Sequence, residues 1–242
     1  MRILITAAEQ EELDCAVFAL RKCRGVDECH KVDFVLTGIG VASTAYKVTR
    51  QIYLARQEGQ PYDIAVNIGL AGSYDMGKFP LGSVGIIEAE HFGDLGIELD
   101  ISAGFQTLFD YKILESETFP YRGGALLRSM TMENAVAGKD TELLERLESF
   151  AASLPKAVGV TVQTFSGNPQ KVETVHSKFA PQIESMEGAA FYYVCIWEHL
   201  PAIELRSISN EVGERDRAKW DASKALKALE TNMELFFKKL VL

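Results

Sequence analysis

Short apolar runs, each followed by an amphipathic helical pattern, recur from the first residues onward, and this alternation constrains the fold more than any other feature. RILITAA (2–8) precedes EELDCAVFALRKC, in which Leu13, Val17 and Leu20 return at helical spacing. DFVLTGIG (33–40) leads into VASTAYKVTRQIYLARQ, with Val41, Ala45, Val48 and Ile52 on one stripe. After Gly59 and Pro61 comes IAVNIGLAGS (64–73). Strand, helix and strand in that order predict parallel pairing with right-handed crossovers.

The pattern continues with GSVGIIEAE (82–90) as a further strand, and breaks down over 92–137, where glycines mix with Phe105, Phe109, Tyr111, Phe119 and Tyr121 without a period. Beyond it, Asp140 or Thr141 can cap a helix over TELLERLESFAASL, and KAVGVTVQTF (156–165) is a β-branched strand. Asn168 and Pro169 suit the N-cap and first turn of a helix over PQKVETVHSKF, which leads to the apolar approach IESM. GAAFYYVCIWEHL is a buried helix, AIELRSIS (202–209) a strand, and ASKALKALETNMELFFKKLVL an amphipathic helix with Leu226, Leu229, Met233 and Phe236 or Phe237 inward. No repeat or linker interrupts the chain. The expectation is an α/β fold in a single domain over 1–242, with a central, mixed but mostly parallel sheet flanked by helices.

Charge and cysteine usage narrow the function. A formal net charge of -9, with no basic run, repels nucleic-acid phosphates and anionic membranes, so neither is an expected partner. No stretch is long and apolar enough to span a bilayer, and the apolar run of MRILITAAEQEEL is too short for a signal-peptide core. Cys15, Cys23, Cys29 and Cys195 form no CxxC pair, and His30 beside Cys29 has no matching second pair, which argues against a zinc site. They read as reduced, buried thiols in a cytoplasmic protein.

Ligands of open α/β sheets gather at the carboxyl ends of the strands, so polar residues there carry the functional signal. Glu12 follows the first strand, Gly38 and Gly40 the second, Gly69 to Gly72 the third, Phe165 a later one; Glu187 follows IESM, and Asn210 follows ELRSIS. Each also has a structural explanation: Glu12 and Glu187 as first-turn helix charges, Asn210 as a turn former. TGIGVAST opens a helix after a strand as a dinucleotide loop does, but it reads GxGxxS. The acidic residue that would hold a ribose at the end of the next strand is also missing.

ESMEGAAFYYVC (184–195) and LRSISNEVGERDRAKWD (205–221), together with GIG and NIGLAG, resemble the purine nucleoside phosphorylase and nucleosidase superfamily over essentially the whole chain. The second stretch is most similar to its futalosine hydrolase branch. The resemblance implies a nucleoside phosphorylase-like fold, a small-molecule nucleoside substrate, no metal and no organic cofactor. By the same likeness Glu187 accepts hydrogen bonds from the ribose hydroxyls, Met186 packs on the sugar, and Glu12 orients or deprotonates the attacking water. Gly40, Gly69, Leu70, Thr164, Phe165 and Ser209 would complete the substrate site.

Asn210 separates the branches. Adenine-releasing nucleosidases carry an aspartate there, which can donate to N7 when protonated, whereas an amide offers N–H donors to the N7 and O6 edge of a 6-oxopurine. Hypoxanthine is therefore the expected leaving base. Arg2, Arg21 and Arg24 are not placed to hold phosphate, so water is the expected nucleophile; Leu70 stands where relatives often have Ser or Thr. The substrate of the futalosine branch also bears a benzoate, which Arg215 could grip bidentately. Read from charge alone, Arg215 and Arg217 would instead neutralise Glu214 and Asp216. A methylthioadenosine or adenosylhomocysteine nucleosidase, or a noncatalytic nucleoside-binding module, are the alternatives. The aromatic segment 92–137 is the expected interface of a homo-oligomer.

Overall fold

The computed structural model describes residues 1–23, 25–26, 30–99, 105–133 and 141–241. Arg24, Cys29, Asp140 and part of the segment 92–137 lie outside them. In chain order the strands are β1 (Arg2–Ala7), β2 (Lys31–Leu36), β3 (Ile64–Ser73), β4 (Val84–Phe92), β5 (Gly96–Glu98), β6 (Phe105–Thr107), β7 (Leu126–Leu127), β8 (Lys156–Thr161), β9 (Ile183–Ser185) and β10 (Ala202–Glu211). The helices are α1 (Gln10–Lys22), α2 (Val41–Gln57), α3 (Arg128–Glu133), α4 (Thr141–Ala151), α5 (Pro169–Phe179), α6 (Gly188–Trp197) and α7 (Ala222–Val241).

Periodicity placed α2 and α5 at the observed residues. The Asn168 side chain caps α5, accepting from the Lys171 amide at 2.8 Å ahead of Pro169. The described part of the segment without a period holds the antiparallel β5–β6 pair, the two-residue β7 and the short α3, elements too brief to carry a readable pattern.

The sheet corrects the mostly parallel expectation. β1 pairs in parallel with β2 and with the first half of β3, and β10 runs parallel to β3 along its other edge. The second half of β3 instead meets β9 in antiparallel register, Gly72 opposite Glu184. β9 and β4 both flank β8 in parallel, and β4 turns antiparallel to β10. The path β3–β9–β8–β4–β10–β3 is a closed mixed ring with β1 and β2 as an extension. Apolar periodicity identifies a strand but says nothing about which neighbour it meets or in which direction, so closure was not legible.

Side-chain alternation splits the core between two faces. Ile64, Val66, Ile68, Ile203 and Leu205 pack with α1, α4 and α7, while Ala65, Ala71, Ala202 and Ile208 face α2 and α6. Asn67, Gly69, Glu204 and Arg206 share this second face, because Glu204 pairs with Asn67 and Arg206 with Gly69. Cys15, Cys23 and Cys195 are free and buried. Among the described residues no helix is long and apolar enough to cross a membrane.

Candidate active site

The ends of β1, β3 and β10 and the segments after β8 and β9 line one cavity of about 720 Å³. Glu12, Leu70, Thr164, Phe165, Met186, Glu187, Ser209, Asn210 and Arg215 all line it. Gly40 and Gly69 do not. Gly40 starts α2 at φ 94°, where glycine is at ease, and its N–H donates to Glu187 Oε1 at 3.1 Å. The GIG turn therefore binds a protein carboxylate. A Cβ on Gly69 would lie 2.4 Å from Arg206 Nη1 and 3.2 Å from Glu12 Oε1, so this glycine clears room for the two side chains.

Glu12 stands in the first turn of α1, where helix-end N–H groups favour a carboxylate. Its Oε2 accepts from the Glu9 N–H at 3.0 Å and its Oε1 from the Leu70 N–H at 2.8 Å. The Leu70 backbone thus meets Glu12 whatever its side chain. Burial pushes the Glu12 carboxyl above the usual carboxylate range, against the pull of the Leu70 hydrogen bond and the Arg206 charge. Glu187, at the N-cap of α6, is equally buried, and its Oε2 lies 3.4 Å from Arg206 Nη1.

Arg206 is enclosed by carboxylates. Its Nε donates to Glu204 Oε1 at 2.7 Å, and both residues are essentially inaccessible to solvent. Burial opposes its charge, but Glu204 and Glu187 outweigh burial and push the guanidinium pKa up. Behind them Glu90 accepts from the Thr161 hydroxyl at 2.8 Å, and that hydroxyl accepts from the Ala189 N–H at 2.7 Å. Burial first, and the Glu204 charge second, raise the Glu90 carboxyl well above the ordinary range. A Cβ on Gly188 would sit 2.3 Å from Glu204 Oε1 and 2.5 Å from Glu90 Oε1, which bounds those oxygens within about 5 Å of each other. Only glycine fits at the start of α6.

At the other end of the cavity Asn210 Oδ1 accepts from the Ser209 hydroxyl at 2.8 Å, and Nδ2 donates to the Glu211 carbonyl at 3.0 Å. One amide hydrogen remains for a ligand. Glu184 anchors the loop carrying Thr164 and Phe165: it accepts from the Ser166 N–H at 3.0 Å and from the Tyr74 hydroxyl at 2.6 Å. Phe165 leaves its ring largely exposed at the cavity mouth.

The neutralising role for Arg215 and Arg217 does not hold. Glu214 pairs with Lys219 at 2.6 Å, and Asp216 caps the turn at Arg217–Lys219 by accepting from the Ala218 N–H. The Arg215 side chain donates to the Gly167 carbonyl at 3.3 Å, and neither arginine forms an ion pair among the described residues. Both line the cavity beside Trp220. Arg2 is held by Asp33 and Glu58, away from the cavity.

Sequence reasoning missed Arg206, Glu204, Glu90 and Glu184. A signal for two of them was present: Glu204 and Arg206 are opposite charges two residues apart in an apolar run, hence on one face of a buried strand, where charges must be paired.

Comparison with known proteins agrees with this architecture. The family model of the phosphorylase superfamily matches residues 28–241. Futalosine hydrolase from Thermus thermophilus is 31% identical over 225 residues, covering 93% of this chain and 88% of that protein. The Streptomyces coelicolor futalosine hydrolase is 28% identical over 198 residues, covering 81% and 74% respectively. Among solved structures, native futalosine hydrolase of Helicobacter pylori superposes with a TM-score of 0.69 at 20% identity, covering 100% of this chain and 97% of that one. The 5'-methylthioadenosine/S-adenosylhomocysteine nucleosidase of the same organism gives 0.68 at 20% identity, with the same coverage. Those two likenesses establish the fold. From its family match and its similarity to the Thermus thermophilus protein, the chain belongs to the phosphorylase superfamily and, within it, to the futalosine hydrolase family.

Proposed function

We propose that the chain is a one-domain nucleosidase that hydrolyses the N-glycosidic bond of futalosine, releasing hypoxanthine and leaving dehypoxanthine futalosine. The observation that carries the reading is the convergence of two buried carboxylates, Glu12 and Glu187, on one cavity that ends in an amide, Asn210. The sequence likeness to futalosine hydrolases supports the choice of substrate.

As the C1′–N bond breaks, its electron pair goes to the purine and the ribosyl group gains oxocarbenium character. Glu187 accepts hydrogen bonds from the ribose hydroxyls and its charge favours that cation; Met186 packs on the sugar. Glu12 takes the proton of the water that attacks C1′. The free Asn210 N–H stabilises the negative charge developing on the base, which takes its proton from solvent. Phe165 covers the purine and Arg215 or Arg217 receives the benzoate. Free buried cysteines and the exposed Tyr46, Tyr53, Phe119 and Trp197 support a cytoplasmic homo-oligomer.

Asn210 tests the reading against adenine release. In Asn210→Asp an ionised carboxylate opposes O6 acceptor to acceptor, so hypoxanthine release should fall on the order of 10²-fold or more. Adenine release from the 6-amino analogue should rise as pH falls and the new carboxyl gains a proton to donate to N7. The measurement is the ratio of the two bases released by both proteins across a pH series. An unchanged ratio would leave Asn210 as a turn residue at the end of β10.

A further inference from the structure

Arg206 does not line the cavity, yet its Nη1 lies beside the two carboxylates that do. What holds the guanidinium in that place is Glu204, one full pleat earlier on the same strand face. Its Oε1 takes the Nε edge of Arg206 at 2.7 Å, which leaves the Nη1 corner turned to Glu187 Oε2 at 3.4 Å and over Gly69 toward Glu12. Arg206 Nη2 and Glu204 Oε2 are buried with no partner among the described residues, so the Nε–Oε1 contact is the short bond fixing the guanidinium plane. A buried guanidinium with one free edge would otherwise fork onto Glu187, occupying both of its oxygens.

We propose that Glu204 is a positioning residue of the hydrolytic site: by engaging the Nε edge of Arg206 and offsetting its charge, it keeps Glu187 open to the ribose and Glu12 basic toward water. The inference rests on the nucleosidase reading above.

Charge counting within the enclosure supports it. Arg206 faces Glu12 from α1, Glu187 before α6, Glu204 beside it on β10 and Glu90 on β4, and a second cation, Arg128 of α3, acts on Tyr192. Tyr192 and Cys195 of α6 also face Glu204, and burial keeps both protonated. Glu12 further meets the Glu9 and Leu70 N–H groups and lies near Cys15. Burial and the neighbouring Glu204 charge both raise the Glu90 carboxyl, and burial raises the Glu204 carboxyl too, against the pull of Arg206. Coulomb fields add, so the negative charge of Glu204 cancels part of the Arg206 field that reaches Glu12. Neutralising Glu204 therefore strengthens the pull of Arg206 on Glu12 and lowers its proton affinity.

The test compares Glu204→Gln, Glu204→Asp and Glu90→Gln with the parent in hypoxanthine release from futalosine, followed across pH. Glu204→Gln keeps the shape and removes the charge: the acid limb of kcat/KM should move down by about one pH unit, kcat should fall and KM should stay near parent, because Glu204 does not line the cavity. Glu204→Asp keeps the charge but withdraws the oxygen from Nε: the limb should stay and kcat should fall about 10- to 100-fold. Glu90→Gln changes a carboxyl that is bonded to Thr161 and does not hold the Arg206 Nε edge, so its limb should match the parent.

A limb unmoved in Glu204→Gln, or parental kcat in Glu204→Asp, would overturn the proposal, as would a limb displaced equally in Glu90→Gln. If Glu204→Gln does not fold, the Asp variant alone decides. Absence of base release by the parent would instead refute the nucleosidase reading itself.

Discussion

Glu187→Gln is expected to fold like the parent and to lose about 10²- to 10³-fold in kcat for base release, the scale of removing one group aimed at developing charge. The amide oxygen can still accept from the Gly40 N–H at the start of α2, so the loop and α6 keep their junction. What disappears is the negative charge beneath the sugar. In that orientation the amide N–H₂ also faces Arg206 Nη1, donor against donor, where Oε2 stood at 3.4 Å. Steady-state rates with futalosine, read beside a thermal melt, separate loss of chemistry from loss of fold. Turnover at the parent rate would remove Glu187 from the ribose.

Arg206→Met should have the largest effect on stability. Methionine fills similar volume but leaves Glu204, Glu187 and Glu12 enclosed without a counter-charge; breaking a buried pair from one side costs roughly 3 to 5 kcal/mol. The loss is pH-dependent, and its direction follows from proton binding. With their partner gone, the buried carboxyls hold protons to higher pH in the folded chain than in the unfolded one. The folded state then binds more protons, and stability falls as pH rises. The gap in melting temperature between parent and variant should therefore be wide in mildly alkaline buffer and narrow toward the acid side, where the carboxyls are protonated. Equal melting temperatures throughout would mean that the enclosure is not held by its charges.

Most of the element order was legible because it depends on local pattern. α2 and α5 are amphipathic, with N-cap or glycine starts; β3 is an apolar run interrupted by Asn67, and β10 sets Ala202, Ile203, Leu205 and Ile208 among polar residues. Strand direction and closure were not, because they depend on which distant edges meet. The β3 edge shared between β1 and β9 has no counterpart in local sequence. The candidate site divides in the same way. Residues expected just past strand ends, such as Glu12, Leu70 and Asn210, could be found from position alone and all line the cavity, although β3 and β10 run on past Leu70 and Asn210.

The support behind them could not be found in that way. Gly40 and Gly69 were expected to approach a ligand and instead accommodate Glu187 and Arg206. Glu90 comes to the enclosure from β4, and pairing β4 with β8 and β10 is what brings it there. Glu204 and Arg206 are the exception: as opposite charges inside a buried strand, they were open to a reading that asked where each charge would find a partner.

Hydrolysis of a 6-oxopurine nucleoside at Glu12, Glu187 and Asn210 is tested most directly by product identity. The purified protein is incubated with futalosine in parallel in phosphate-free and phosphate-containing buffer, and the products are resolved by mass. The prediction is hypoxanthine and dehypoxanthine futalosine in equal amounts, at the same rate in both buffers. A ribosyl 1-phosphate product in the phosphate buffer, or futalosine left intact in both, would contradict it.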